Sequence, residues 1–226
     1  MPMGGADTAA RTRQRNLKVF EGRFGAAYSF YMGRKPLNRI IARLVWSSDI
    51  RPFFASMRAI GEVRDGGTIV DAPCGAGVAF PGLAPDKDVL YLAFDLSPAM
   101  LQRARGRAAL SLRQIQLAEA DAESLPVDDA SVDLFLSYFG LHCFPHPDAG
   151  VREIARCLRP GGRVVGSSIV LGDRLLDRLR VRPGKGAFGP VGSALDLRRW
   201  LANAGIESVE VDQRGVFAYF HGRKLQ

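Results

Sequence analysis

From residue 66 onward short apolar runs alternate with stretches of helical periodicity, and this alternation restricts the chain more than any other feature. The runs "TIVDA" (68–72), "VLYLAFD" (89–95), "QLAEAD" (116–121), "VDLFLSY" (132–138) and "RVVGSSIV" (163–170) are predicted strands, and segments such as 98–109 and 148–158 are predicted helices. Strands joined by helical crossovers pair in parallel and need helices on both faces of the sheet. The end of the chain breaks the pattern. A helical segment at 193–205 is followed by "IESVEVD" and "GVFAYFHGRKL", which lie too close together for a crossover and so predict an antiparallel hairpin. The fold class expected is α/β, a doubly wound and mostly parallel sheet closed by that hairpin.

Ahead of the sheet, residues 36–63 carry Leu37, Ile40, Ile41, Leu44, Val45, Ile50, Phe53, Phe54, Met57 and Ile60 at mostly helical spacing. One or two amphipathic helices are expected there, with their apolar stripe packed on the sheet domain as a cap. A chain of 226 residues with 47% hydrophobic content is expected to form one folded unit, a basic helical cap over 1–64 and a cofactor-binding core over 65–226. The Gly/Pro-rich stretch 182–192 reads as a flexible loop. No apolar run approaches the roughly 18 to 20 residues of a spanning helix, and "MPMGGADTAARTRQR" is polar, so a cytoplasmic protein is expected. Cys74, Cys143 and Cys157 are odd in number and lack CxxC spacing, which argues against a disulfide framework and against a metal site.

Residues 1–64 hold 12 Lys/Arg against 4 Asp/Glu, and the remainder holds 19 of each. The whole formal charge of +8 therefore lies ahead of the first predicted strand. Arg11, Arg13, Arg15, Lys18 and Arg23, opposed only by Glu21 in their cluster, are expected to give at most a weak, salt-sensitive contact with an anionic membrane surface.

The loop after the first strand, "DAPCGAGVAF" (71–80), brings backbone close to a ligand through Gly75 and Gly77. It is not a P-loop, because no Lys-Ser/Thr follows Gly77. A dinucleotide loop fails too: Phe80 stands where GxGxxG needs its third glycine, and Asp71 places negative charge where a pyrophosphate would come. Asp95 closes the second strand, 18 residues past Gly77, where it can accept hydrogen bonds from ribose hydroxyls. An adenosine-bearing ligand with positive charge and no phosphate satisfies all of this, and S-adenosylmethionine is such a ligand.

The motifs carry a family likeness. "IVDAPCGAG", "AFDLSPAMLQRAR", "AEADAESLPVDDASVDLFLS" and "REIARCLRPGGRVV" occur in the order and at the spacings of class I S-adenosylmethionine-dependent methyltransferases. The sequence most resembles the small type-11 methyltransferases, which are similar to the ubiquinone/menaquinone-biosynthesis C-methyltransferases. The resemblance spans about residues 65–225 and implies a Rossmann-like, seven-stranded sheet. It also implies that Asp71, Ala72 and the Gly75/Gly77 backbone meet the methionyl end of the cofactor, and that Asp95 takes the ribose diol. Leu96 and Met100 would cover the adenine, Asp121 with the Ala122 amide would read its edge, and Ser137 would lie beside the sulfonium. Pro73 departs from the family's usual glycine and removes one backbone donor.

Methyl transfer from a sulfonium is an in-line displacement that needs alignment, exclusion of water and, for some acceptors, a base. The expected acceptor is a small, largely apolar molecule such as a quinone, phenol, polyketide or lipid. Tyr28, Tyr31, Phe139 and Phe144 are the candidate lining, and His142, leaving the fourth strand in "SYFGLHCFPHP", is the candidate general base. RNA methylation and cofactor binding without catalysis are the alternatives. Against nucleic acid, "SYFG" follows the fourth strand where base-methylating enzymes resemble (N/D)PP(Y/F), and no RNA-binding module is recognisable. A monomer or homodimer is expected.

Overall fold

The computed structural model describes residues 4–110, 115–172 and 174–225. Five strands run parallel: β1 (Gly67–Asp71), β2 (Val89–Asp95), β3 (Ile115–Glu119), β4 (Val132–Tyr138) and β5 (Leu158–Ile169). Two more, β6 (Ile206–Arg214) and β7 (Phe217–Lys224), complete a sheet of order β3-β2-β1-β4-β5-β7-β6. β7 is antiparallel to both β5 and β6, so the expected hairpin closes the sheet. Only two residues, Gly215 and Val216, separate its strands, and Gly215 takes the left-handed conformation (φ +70°) that so tight a turn requires.

The central strands are buried on both faces, which is why they read as continuous apolar runs. Ile69, Leu134 and Leu136 join one core, while Val70 and Phe135 point into the other. The first core is covered by α4 (Arg51–Ser56), α5 (Arg58–Gly61) and α6 (Pro98–Leu110), through Phe53, Ile60, Leu101 and Ala104. The second is covered by α7 (Pro147–Cys157) and α9 (Ala194–Asn203), through Val151, Ile154, Leu197 and Leu201. α9 opens on a capping box: Ser193 Oγ accepts from the Asp196 N–H at 3.1 Å, and the Asp196 carboxylate accepts from the Ser193 N–H at 2.9 Å. A short α8 (Leu175–Arg180) follows β5.

The N-terminal segment is helical from α1 (Gly4–Glu21), followed by α2 (Arg23–Met32) and α3 (Lys35–Trp46). Part of the stripe expected to pack inward on α3 turns outward instead: Ile40, Leu44 and Val45 are 56%, 74% and 53% exposed, while Asn38 and Ala42 are buried. Where α3 meets its neighbours it presents Ala42 and Asn38, whose amide donates to the Met32 sulfur at 3.2 Å, while Leu37 and Ile41 of the same stripe are half-buried.

The glycine loop is shaped by packing as much as by a ligand. Gly77 has φ +72°, and a Cβ there would stand 2.3 Å from the Phe80 ring, which is itself buried edge-on to Tyr91 at 5.6 Å. Phe80, standing at the third-glycine position of the dinucleotide motif, thus fills the space between loop and sheet. Gly77→Ala is expected to cost about 2 to 4 kcal/mol of stability. Gly161→Ala, which has the same handedness (φ +74°) but no neighbour within 4 Å of the added Cβ, is expected to cost about 1 kcal/mol. Chemical denaturation of the two variants measures the difference.

Candidate cofactor and acceptor site

The strand order reverses between β1 and β4, and ligands of doubly wound sheets bind beyond the carboxyl ends of the strands at such a point. A cavity of about 1040 Å³, partly open to solvent, lies there. Its floor comes from the loops after β1, β2, β3 and β4, including Asp71, Gly75, Asp95, Leu96, Met100, Asp121 and Ala122. Its roof is Arg13, Asn16, Leu17 and Phe20 of α1 with Tyr28 and Met32 of α2.

Asp95 organises the floor. One carboxylate oxygen accepts from the Gly75 N–H at 2.8 Å and the other from the Ser97 N–H at 2.9 Å. Burial pushes its carboxyl up to about 6, against the pull of the two N–H groups. Each oxygen keeps lone pairs free for further donors. Ser97 Oγ accepts from the Met100 N–H at 3.3 Å and caps α6, so both residues serve the same turn. Gly75 has φ +55° with nothing within 4 Å of a built Cβ, a cradle that leaves room for a ligand against the backbone. From α6, Arg107 donates to the Ala76 carbonyl at 2.8 Å and holds the loop from below.

Asp71 is buried at the end of β1, where Tyr91 donates its hydroxyl at 3.0 Å. Desolvation dominates and pushes its carboxyl from 3.8 up to about 8; the Tyr91 hydrogen bond pulls the other way, and the Asp95 charge adds a further upward push. Burial also raises the Cys74 and Cys143 thiols, the latter to about 12, so neither is a nucleophile at neutral pH.

A second chamber, about 580 Å³ including space open to solvent, adjoins the first, sharing Phe20, Tyr28, Met32 and Phe139 in its wall. Tyr31, Trp46, Phe188 and Phe217 make the rest of it aromatic, and no Asp, Glu, Lys or Arg lines it among the described residues. Phe139 holds a left-handed conformation (φ +52°), which costs a bulky side chain energy, with its ring 5.0 Å from Phe217 and 5.6 Å from Phe53.

The structure therefore gathers Asp71, Gly75, Asp95, Leu96, Met100, Asp121, Ala122, Tyr28, Phe139 and Phe144 around the first cavity, while Tyr31 lines only the second. Ala72 lies under the floor, its N–H donating to the Leu136 carbonyl at 3.0 Å. Gly77 also stays off the cavity wall, against Phe80. Ser137 is fully buried within β4 with its Oγ unpartnered, not beside the cavity, because alternation along the strand turns it away. His142 lines the aromatic chamber, and burial pushes its imidazole down to about 3. Its Nδ1 accepts from the Ile169 N–H at 3.2 Å, which leaves the proton of the neutral ring on Nε2. Such a ring donates a hydrogen bond; it is not poised to take a proton.

Sequence reasoning missed the roof. Arg13 Nε meets the Asp121 carboxylate at 2.7 Å and its guanidinium also pairs with Glu123. Arg15 donates to the carbonyls of Gly186, Gly184 and Phe188 at 2.8, 2.8 and 2.7 Å, which ties down the 182–192 loop. With Arg11 paired to Asp7, three of the five cations expected to give a weak surface contact are engaged within the chain. The long-range partners of Arg13 and Arg15, as with Arg13 and Glu123 at 110 residues' separation, leave no periodic signal in sequence.

An open sheet with a glycine loop and a buried acid at its switch point defines a Rossmann-like cofactor-binding protein. Residues 70–166 match the family model described as "Methyltransferase domain". The demethylmenaquinone methyltransferase of Clavibacter sepedonicus is 38% identical over 111 residues, covering 49% of this chain and 44% of that protein. The 27-O-demethylrifamycin SV methyltransferase of Amycolatopsis mediterranei is 34% identical over 157 residues, covering 64% and 56%. Phosphoethanolamine N-methyltransferase 2 of Haemonchus contortus, solved with S-adenosyl-L-methionine, superposes with a TM-score of 0.73 over 93% of this chain and 60% of that one, at 15% identity. Residues 70–166 thus resemble a methyltransferase domain, and the chain is similar to methyltransferases, among them one solved with S-adenosyl-L-methionine. It spans about half the length of the curated relatives it matches. The cavity suits that cation: two buried carboxylates face it, Asp95 has acceptor capacity to spare, and the Gly75 backbone is open.

Two outcomes are expected. Asp71 is raised in the folded chain, so it adds stability below its ordinary value of 3.8, and that stability is lost as pH rises toward about 8. A cationic ligand beside it favours the ionised form, so cofactor binding near pH 7 should release a proton. Calorimetry in two buffers of different ionisation heat measures the release, which Asp71→Asn should abolish. Arg13→Met should unlatch the roof: hydrogen exchange should accelerate in α1 while β1, β2 and β4 stay protected.

Proposed function

We propose that the chain transfers a methyl group from S-adenosylmethionine to a small, flat, largely apolar acceptor held in the aromatic chamber, with residues 1–64 acting as a cap over the 65–226 core. The observation that carries this reading is the adjacency of two cavities of opposite character, one bearing buried carboxylates and one uncharged and aromatic, with four side chains as a common wall. When bound, the cofactor supplies an electrophilic methyl group on a sulfonium. Asp95 would accept from the ribose hydroxyls while bracing the loop, and Asp71 would face the ammonium of the methionyl end. Leu96 and Met100 would cover the adenine. Asp121 and the Ala122 amide would read its edge only in so far as Arg13 shares the carboxylate.

The chamber would exclude water and hold the acceptor flat, which favours a displacement that consumes charge. Among the described residues its wall offers no strong base: the His142 Nδ1 already accepts from the Ile169 N–H, burial pushes that imidazole down to about 3, and burial pushes Tyr31 up to about 12. The acceptor must therefore supply its own nucleophile, as an enol, an acidic phenol or an electron-rich ring carbon does and a simple alcohol does not. His142 Nε2–H would orient an acceptor oxygen instead of deprotonating it. Relatives named for demethylmenaquinone and demethylrifamycin substrates support a ring-bearing acceptor. RNA methylation loses support because Arg13 and Arg15 are spent inside the chain.

Asp95→Asn should weaken binding of S-adenosylmethionine and of its demethylated product by about 10- to 100-fold in calorimetry. A panel of enols, phenols, hydroquinones and alcohols, read by mass for the gain of one methylene unit, should yield products only from the first three. The rate should show no limb near pH 6.5 in the wild type, and His142→Gln should raise KM more than it lowers kcat. Transfer to a simple alcohol, or a pH limb removed by His142→Gln, overturns the base-free reading.

A further inference from the structure

α3 leaves part of its apolar stripe exposed. A surface helix ordinarily buries its apolar stripe. Here Asn38 and Ala42 face inward, while Ile40 and Leu44, one turn apart, are 56% and 74% exposed, with Val45 beside them. On α2, Phe24 and Phe30 are likewise more than half exposed. Exposed apolar side chains gathered on two adjoining helices point to an interaction site.

The charge around the patch selects the partner. Residues 22–48 contain Arg23, Arg34, Lys35, Arg39 and Arg43 and no Asp or Glu. Arg39 and Arg43 precede Ile40 and Leu44 directly and pair with no carboxylate among the described residues. The Arg34 guanidinium lies 3.5 Å over the Phe30 ring, a cation kept beside an apolar side chain. A second copy docked about a twofold axis would set Arg39 and Arg43 against their own counterparts. An anionic lipid surface meets both halves of the patch: acyl chains for the aliphatics and headgroups for the arginines.

The same two helices also wall the aromatic chamber, through Phe24, Tyr31 and Trp46, with Phe24 itself 53% exposed. α3 has 12 residues, about 18 Å of helix, and no helix among the described residues is long and apolar enough to cross a membrane. The helix would lie on a bilayer, not through it.

We propose that the α2–α3 face docks on anionic lipid bilayers, with Ile40 and Leu44 inserted, Arg39 and Arg43 at the headgroups, and the chamber mouth turned toward the lipid. This site differs from the α1 arginines, which are engaged within the chain. That the mouth receives a lipophilic acceptor rests on the function proposed above; docking itself does not.

The full chain, without cofactor or acceptor, is sedimented with vesicles of phosphatidylcholine containing phosphatidylglycerol and with vesicles of phosphatidylcholine alone. Binding is expected to the anionic vesicles and to fall with salt. Ile40→Ser/Leu44→Ser and Arg39→Gln/Arg43→Gln should each weaken it by about tenfold or more, whereas Arg11→Gln should leave it unchanged. Brominated lipid should quench tryptophan emission of the unaltered chain, since half-buried Trp46 ends α3 in the chamber wall and Trp200 packs on the opposite core. Absence of binding, equal binding to neutral vesicles, or a dimer dissolved by Ile40→Ser/Leu44→Ser in sedimentation velocity would overturn the proposal. Calorimetry of S-adenosylmethionine on the same preparation reads the transferase assignment separately.

Discussion

The carboxylate of Asp95 ties the ends of two strands to each other: it accepts from Gly75 beyond β1 and from Ser97 beyond β2, and so holds the glycine loop and the start of α6 in one geometry. A buried carboxylate is costly unless its lone pairs are used. Two backbone N–H groups offset part of that cost, and the unused acceptor capacity faces the cavity. Arg107 from α6 and Phe80 under Gly77 secure the loop from its other sides, so backbone that could have been mobile is presented to a ligand in a set form.

Around that anchor the site stores several unfavourable features. Asp71 is buried in a medium that favours its protonated form, Phe139 occupies a left-handed conformation, and His142 is denied its charge. Each costs stability in the free chain and is tolerated only where surrounding packing enforces it. Their clustering at one end of the sheet fits a site prepared for a cationic cofactor and an uncharged acceptor. The roof is made of different material: apolar side chains of α1 and α2 latched to the floor by the partly buried pairing of Arg13 with Asp121 and Glu123.

The cap shows where pattern stops being informative. Helical spacing over 36–63 correctly announced amphipathic helices, but a hydrophobic period says only that one side differs from the other, not which side meets the protein. On α3 the close approach of neighbouring helices admits Ala42 and Asn38 and turns Ile40 and Leu44 outward. Likewise the local charge count correctly located the basic excess, yet Arg13 and Arg15 find their partners more than a hundred residues away.

The sequence by itself determined the parallel strands, the closing hairpin and the glycine loop, because those follow from periodicity and short-range spacing that every residue in the run reports. The reading of Asp95, and the family resemblance that added Asp71, Leu96, Met100 and Asp121, named residues that line the cavity, since each stands within a few positions of a strand end and the topology carries those ends to one place. Tertiary structure alone decided the rest. Ser137 and Gly77 were withdrawn from the cavity by strand alternation and by the Phe80 ring. His142 became a donor because Ile169 took its Nδ1, and α1 became a roof through contacts with distant loops. These outcomes depend on burial, which sets whether a titratable group keeps its charge, and on long-range contact, which no local window of sequence contains.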